Sequence, residues 1–255
     1  MIHLEPLPIL DEEDFETWNR YSQYPELRWV FNKMEVAIRQ GLHCGPVGTA
    51  PSKEGYYISR PIYNVFGMGI SAEKFYYKES MEDQMVNHGY LKPGHFWCEW
   101  IDGPQYSADY RLFNNGEWHC VSYTTGKHYS DDNLIKFQKW IKLDPSDAPP
   151  LQSLPVYPDH PEITTVNIET RQDKVLEIHL RLGNHVFDHL PVGTEIIPVW
   201  EDMWDEIWQE TCKKFNLPPQ SEYMSTLEGN IYDYNASGNI SDIRHGYFFI
   251  KPEQG

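Results

Sequence analysis

The chain has 255 residues and a formal net charge of −17, enough length for one large domain or two lobes around a cleft. Hydrophobic residues make up 40% and charged residues 23%, a mixture that excludes a disordered chain. The acid excess argues against a duplex nucleic-acid binder, which needs clustered Lys and Arg, and favours cationic partners such as an amine.

In chain order, residues 14–19 and 26–40 read as helices, the second with Leu27, Val30, Phe31, Met34, Ala37 and Ile38 at helical spacing. A Gly/Pro-rich connector follows Gly41. Residues 56–65 read as a strand, 66–72 as a glycine-containing turn, and 74–77 and 96–101 as strands, the last ended by Gly103–Pro104. A hairpin is expected from 106–113 and 118–123 around Asn114, Asn115 and Gly116. The spacing predicts an amphipathic helix over 133–141, capped by Ser130 or Asp131. A Pro-rich surface loop or linker follows over 144–161. Residues 166–170 and 174–180 form a second hairpin candidate, 200–215 a helix, and the C-terminal tail turn and strand. Helices and strands mix without a βαβ rhythm, which favours an α+β fold.

The cysteines Cys44, Cys98, Cys120 and Cys212 are far apart and form no CxxC pair. A disulfide framework or zinc site is therefore not expected, and reduced thiols in the cytoplasm are. The sequence shows neither a membrane-spanning apolar run nor a signal peptide, so a cytoplasmic protein is expected.

Three segments carry possible chemistry. In SRPIYNVFGMGISA, Arg60 on a strand precedes Gly67, Met68 and Gly69. The glycines would let backbone N–H groups approach an anion, to which Arg60 adds charge. FWCEWIDGPQYSADY is an aromatic strand with one acid and a Gly-Pro bend, suited to lining a flat pocket. In VNIETRQDKVLEIHLR, Glu177, His179 and Arg181 alternate with Leu176, Ile178 and Leu180, which puts the polar groups on one face. A carboxylate beside a neutral ligand suits a divalent metal that also holds phosphates, and Arg181 suits developing negative charge. His185 and His189, at i and i+4, would need a third ligand and a helix to bind metal. Trp200, Trp204 and Trp208 read as a helical packing stripe. No GxSxG elbow supports Ser-His-Asp catalysis.

Together, over roughly residues 30–181, these segments resemble the ATP-grasp superfamily. Asn32-Lys33 stands where the family has Asp-Lys on a helix running to a Gly-Pro connector, and Arg60-Pro61 where it has a strand ending in Lys-Pro before a Gly-rich lid. Cys98, Glu99, Trp100 and Ile101 resemble its hinge strand beside adenine, and Gln105 falls where a ribose-binding acid is common. Glu177-x-His179 stands for its magnesium-binding Glu-x-Asn, with Arg181 where many members carry Arg. Glu169 and Asn167 are the candidates for the upstream metal-binding acid.

The resemblance implies two α+β lobes with nucleotide held between antiparallel sheets. It implies an N-terminal helical segment over 1–40, a small lobe with the lid over 41–95, and a large lobe with metal site and acceptor region over 96–255. ATP and Mg2+ are the implied cofactors. Lys33, Arg60 and Lys127 would contact phosphate, Gly67, Met68 and Gly69 would cover it, and Glu177, His179 and Glu169 would place magnesium. The implied activity is ligation of a carboxylate, activated as an acyl phosphate, to an amine, with Arg181 and Arg60 stabilising charge. The acceptor would be a small or peptide-like molecule. A kinase or a non-catalytic interaction protein on the same fold are the alternatives.

Overall fold

Asn32 divides the first helical segment. Its extended backbone ends a 3-10 turn at Pro25–Phe31, and its side chain accepts a hydrogen bond from Glu35 N at 2.9 Å, capping helix α1 at Lys33–Arg39. The single helix expected over 26–40 is therefore two short pieces. The computed structural model describes residues 24–63, 72–130, 133–183, 187–200, 204–215, 223–225, 244–250 and 252. The helix expected at 14–19, the glycine turn at 66–71 and His185 lie outside these residues.

The first sheet comprises β1 (Cys44–Pro46), β2 (Gly55–Pro61), β3 (Glu73–Tyr77) and, after the short helix α2 (Glu82–Asn87), β4 (His95–Glu99), in the order β1-β4-β2-β3. Residues 96–101 were expected to open the large lobe as a strand. Instead β4 ends at Glu99 and pairs with β2 and β1, so the passage to the second sheet falls after it. One face of this sheet packs Tyr57, Phe75, Tyr77 and Trp97 on Met85 of α2.

The second sheet has eight strands: β5 (Gln105–Leu112), β6 (Trp118–Ser130), β7 (Asn133–Leu143), β8 (Thr165–Arg171), β9 (Lys174–His179), β10 (Glu195–Trp200) and, after helix α3 (Trp204–Phe215), β11 (Tyr223–Ser225) and β12 (Arg244–Ile250). Their order is β11-β12-β10-β7-β6-β5-β8-β9, and the paired strands are antiparallel.

Both expected hairpins form, but three other expectations fail. Residues 133–141 are the strand β7, not a helix. Leu134, Phe137 and Ile141 happen to fit helical spacing, yet β7 is interior to the sheet between β6 and β10. Pairing with strands distant along the chain, rather than local spacing, decides its conformation. Trp200 ends strand β10, with Nε1 donating to Phe137 O at 3.0 Å, and the helix starts only at Trp204, so no Trp stripe runs through Trp200. The Pro-rich segment is not merely a surface linker: Leu151, Leu154 and Val156 enter the main core.

That core lies on one face of the second sheet, where Ala108, Tyr110, Ile168, Val175, Ile178 and Leu180 meet Leu27, Val30, Phe31 and Val36. Val175 takes the place expected for Leu176. The register shifts between Glu169 and Thr170, and Leu176 is left partly buried.

Helix α1 joins the two sheets. Ala37 packs with Phe96 and Cys98 of the small sheet, and Val36 packs in the large-sheet core. Gln40, at the end of α1, donates to Val175 O at 2.6 Å and accepts from Val175 N at 3.0 Å, serving the exposed edge of β9 as a strand would. At the other end of α1, Lys33 N donates to Ile62 O at 2.7 Å, just beyond β2.

Candidate functional site

Strand alternation puts polar residues on the face of the second sheet opposite the core. Ser107, Glu169 and Glu177 form one row across β5, β8 and β9; Asp109, Asn167 and His179 form the next. The row is completed from outside the sheet. With α1 tied to β9 by Gln40 and to β2 by its first residue, Lys33 Nζ reaches Glu177 Oε2 at 3.0 Å, with the two side chains only 9% and 12% exposed. His179 Nε2 lies 3.3 Å from Glu177 Oε1.

Burial alone would raise the Glu177 carboxyl, but Lys33, His179 and Arg60 together hold it below the usual range. Glu169 goes the other way. Burial and the opposed Glu177 charge raise it, against the opposing pull of His179, Lys33 and Arg181. The pair thus shares the strain of two acids directly across a strand ladder. One is stabilised ionised by the cations, and the other has a raised affinity for a proton.

Arg60 is near enough for its charge to act on Glu177. Arg60 is buried, its guanidinium lies 5.3 Å from the Phe96 ring centroid, and Nε makes no hydrogen bond. Its charge acts on Glu177 and on Cys44 and Cys98 alike. Lys33 and Arg60 therefore bring positive charge to the acid pair from α1 and the small sheet.

The remaining expected residues fall in three places. Arg181 is close enough to act on Glu169, and its Nη1 donates to Leu182 O at 3.2 Å. Between the sheets, Cys98 is buried against α1, and Glu99 Oε1 accepts from His43 N at 2.8 Å. Trp100 has Lys74 of β3 at 4.2 Å and Arg171 of β8 at 4.9 Å from its ring, and Ile101 O accepts from Arg171 at 3.5 Å. Lys127 stands apart: it is exposed on β6, opposite Lys139. Gly67, Met68 and Gly69 lie outside the described residues. His189 sits in a turn rather than on a helix.

Asn167 is occupied as a structural donor, to Asp109 Oδ1 at 2.7 Å and to Ser107 Oγ at 2.9 Å, and Asp109 also accepts from Gly183 N at 2.8 Å. Of the two candidates for a second acid, Glu169 is the one aligned with Glu177. Sequence reasoning missed Lys74, Arg171, His128 and Asp109. Lys74 and Arg171 sit on strands of different sheets and meet at Trp100; no spacing along the chain signals that.

Among the described residues, no group of three or more His, Cys, Asp or Glu side chains is arranged to hold a metal ion. Two opposed carboxylates nevertheless fit magnesium, which takes one or two protein carboxylates and completes its shell with phosphate and water. Glu177 Oε1, buried and without a hydrogen bond, is an acceptor such an ion would satisfy.

No family model matches the chain, and no curated protein matches it. Among solved structures it is similar to the N5-carboxyaminoimidazole synthetase from Staphylococcus aureus complexed with ADP. That likeness covers 91% of this chain and 70% of that one, at 13% identity and a TM-score of 0.54. Looser likenesses are to an ADP complex of PurK, N5-carboxyaminoimidazole ribonucleotide synthetase (9% identity, 94% of this chain and 74% of that, TM-score 0.49), and to the L-amino acid ligase from Bacillus licheniformis (14%, 64% and 43%, 0.41). The chain thus spans less than half the length of that ligase. The fold, a mixed α+β chain built on two antiparallel sheets, is like that of the synthetase solved with ADP. No helix among the described residues is long and apolar enough to cross a membrane.

Proposed function

We propose that this chain is an ATP- and magnesium-dependent ligase that activates a carboxylate as an acyl phosphate for attack by an amine. The observation that carries the reading is the convergence of Lys33, Arg60 and the Glu169–Glu177 pair, drawn from a helix and two sheets, in a fold shared with a synthetase solved with ADP.

Lys33 and Arg60 bind phosphate oxygens, Lys33 exchanging its contact with Glu177 for them. Glu169 and Glu177 hold magnesium, with His179 beside Glu177. Bound there, the ion supplies neutralisation of phosphate charge. A substrate carboxylate oxygen attacks the terminal phosphorus and ADP leaves. The amine nitrogen then attacks the acyl carbon, phosphate leaves, and the amine proton passes to solvent. Arg181 stabilises the charge that develops at the acyl phosphate. Catalysis rests on positioning and charge rather than on a protein nucleophile. The net charge of −17 favours a cationic amine acceptor.

Thermal melting tests the first half. Mg-ATP at roughly 100 times its Kd stabilises a folded protein by about 2.7 kcal/mol, so millimolar Mg-ATP should raise the Tm. An unchanged Tm defeats the reading. With mixed carboxylates and amines, release of ADP and phosphate with amide formation supports the ligase. A phosphorylated product that persists assigns a kinase instead.

A further inference from the structure

Gln105 stands at the start of β5, where the ATP-grasp likeness would place a ribose ligand, but its amide is committed in another direction. Nε2 donates to Glu169 Oε2 at 2.7 Å. Oε1 lies 3.4 Å from Arg171 Nη2 and 3.3 Å from His128 Nε2. Chemistry sets which way the amide faces. A guanidinium only donates, so the oxygen must meet Arg171, and this turns the NH2 group to Glu169. Arg171 is itself fixed, by Ile101 O at 3.5 Å and by the Trp100 ring at 4.9 Å. Trp100 in turn carries Lys74 of the small sheet at 4.2 Å. An unbroken line of contacts therefore runs from β3 through the connector between the sheets to the Glu169 carboxylate.

We infer that Gln105 is a positioning residue for Glu169: it holds that carboxylate in line with Glu177 for a divalent cation and does not contact the nucleotide sugar. This rests on the metal role proposed above for Glu169 and Glu177. Hydrogen bonds that orient a ligating carboxylate change metal affinity by about 10- to 100-fold when removed. A ribose ligand would instead change nucleotide affinity even without metal.

The test compares wild type with Gln105→Met, which keeps length but loses all three side-chain contacts, and Gln105→Asn, which keeps the amide but is one methylene too short to serve Glu169, Arg171 and His128 together. Mn2+ binding is read by electron paramagnetic resonance and ADP binding in excess chelator by calorimetry, with circular dichroism confirming folded protein. Expected are a loss of Mn2+ affinity of about tenfold or more in Gln105→Met, a smaller loss in Gln105→Asn, and metal-free ADP affinity unchanged in both. Unchanged Mn2+ affinity in variants of a wild type that binds both ligands overturns the positioning role alone. Weakened metal-free ADP binding with intact Mn2+ binding assigns a sugar contact instead and also overturns it, as does a parallel loss of both. A wild type that binds neither Mn2+ nor ADP defeats the underlying reading, and this inference with it.

Discussion

Lys33 Nζ sits 3.0 Å from Glu177 Oε2, joining the first turn of α1 to the last edge strand of the large sheet through a pair almost wholly out of water. A buried pair contributes little beyond a hydrophobic replacement, because desolvation offsets the attraction, but removal of one member leaves a charge unpaired.

Lys33→Met should therefore destabilise by on the order of 3 kcal/mol, whereas Lys33→Met with Glu177→Leu should cost clearly less than the two single changes summed. Urea unfolding of the four proteins in the cycle measures this. Strict additivity would show that the contact carries no coupling.

Glu169 and Glu177 respond to pH with opposite sign. Glu177, depressed, adds stability that is present above its unfolded pKa and lost as pH falls through its folded value. Glu169, raised, does the reverse: its folded form favours the proton, so stability is lost as pH rises from the ordinary carboxylate range through its folded pKa. Glu169→Gln should raise the Tm at pH 7.5 and make no difference below about pH 4, where the native acid is protonated. The same variant should lose Mg-dependent stabilisation by ATP. Calorimetry at the two pH values decides; a lowered Tm at pH 7.5 contradicts the repulsion between the two acids.

Gly126, on β6 between Gln105 and Trp140, tests the strand assigned to residues 133–143. A Cβ built there would fall 2.6 Å from Trp140 Cζ3 and 2.7 Å from Phe137 Cε1. Those rings lie tilted against each other with 4.0 Å between centroids and cannot yield cheaply. Gly126→Ala should cost about 1–3 kcal/mol by overpacking, read by denaturant unfolding. A neutral outcome would mean that β6 and β7 do not bring these rings over the glycine.

Cys44 and Cys98 face each other on β1 and β4. Glu99 N donates to His43 O at 2.8 Å, which makes the adjacent pair, Cys44 and Cys98, the non-hydrogen-bonded one. Both remain thiols. Burial pushes Cys98 up to about 12, with Arg60 pulling the other way, and burial also raises Cys44. Since the thiolate is the nucleophile, iodoacetamide at pH 7.5 should modify Cys98 only as fast as the protein unfolds. Rapid labelling of native protein, located by mass spectrometry, would contradict the buried environment.

Much of the site was legible before folding because short-range rules govern it. Period-two alternation fixes that Glu177 and His179 share a face opposite Ile178, and the turn at Gln172 and Asp173 brings Glu169 across from Glu177. Two other features were hidden. The register shift beside Glu169 replaces Leu176 by Val175 in the core. The amide of Gln105 turns to an acid on β8, the neighbouring strand of the sheet but remote along the chain, past any expectation drawn from its place after the hinge.

What the sequence determined by itself was the α+β character, both hairpins, and the residue types that make a cationic and acidic cluster, since each depends on neighbours a few positions away. Only tertiary structure decided that residues 133–143 form a strand, that Pro-rich residues fill a core, and that Lys33 meets Glu177 with the charge of Arg60 acting on it. Those outcomes rest on pairing and desolvation between segments remote along the chain. Such contacts gain their strength from burial, which local spacing does not encode.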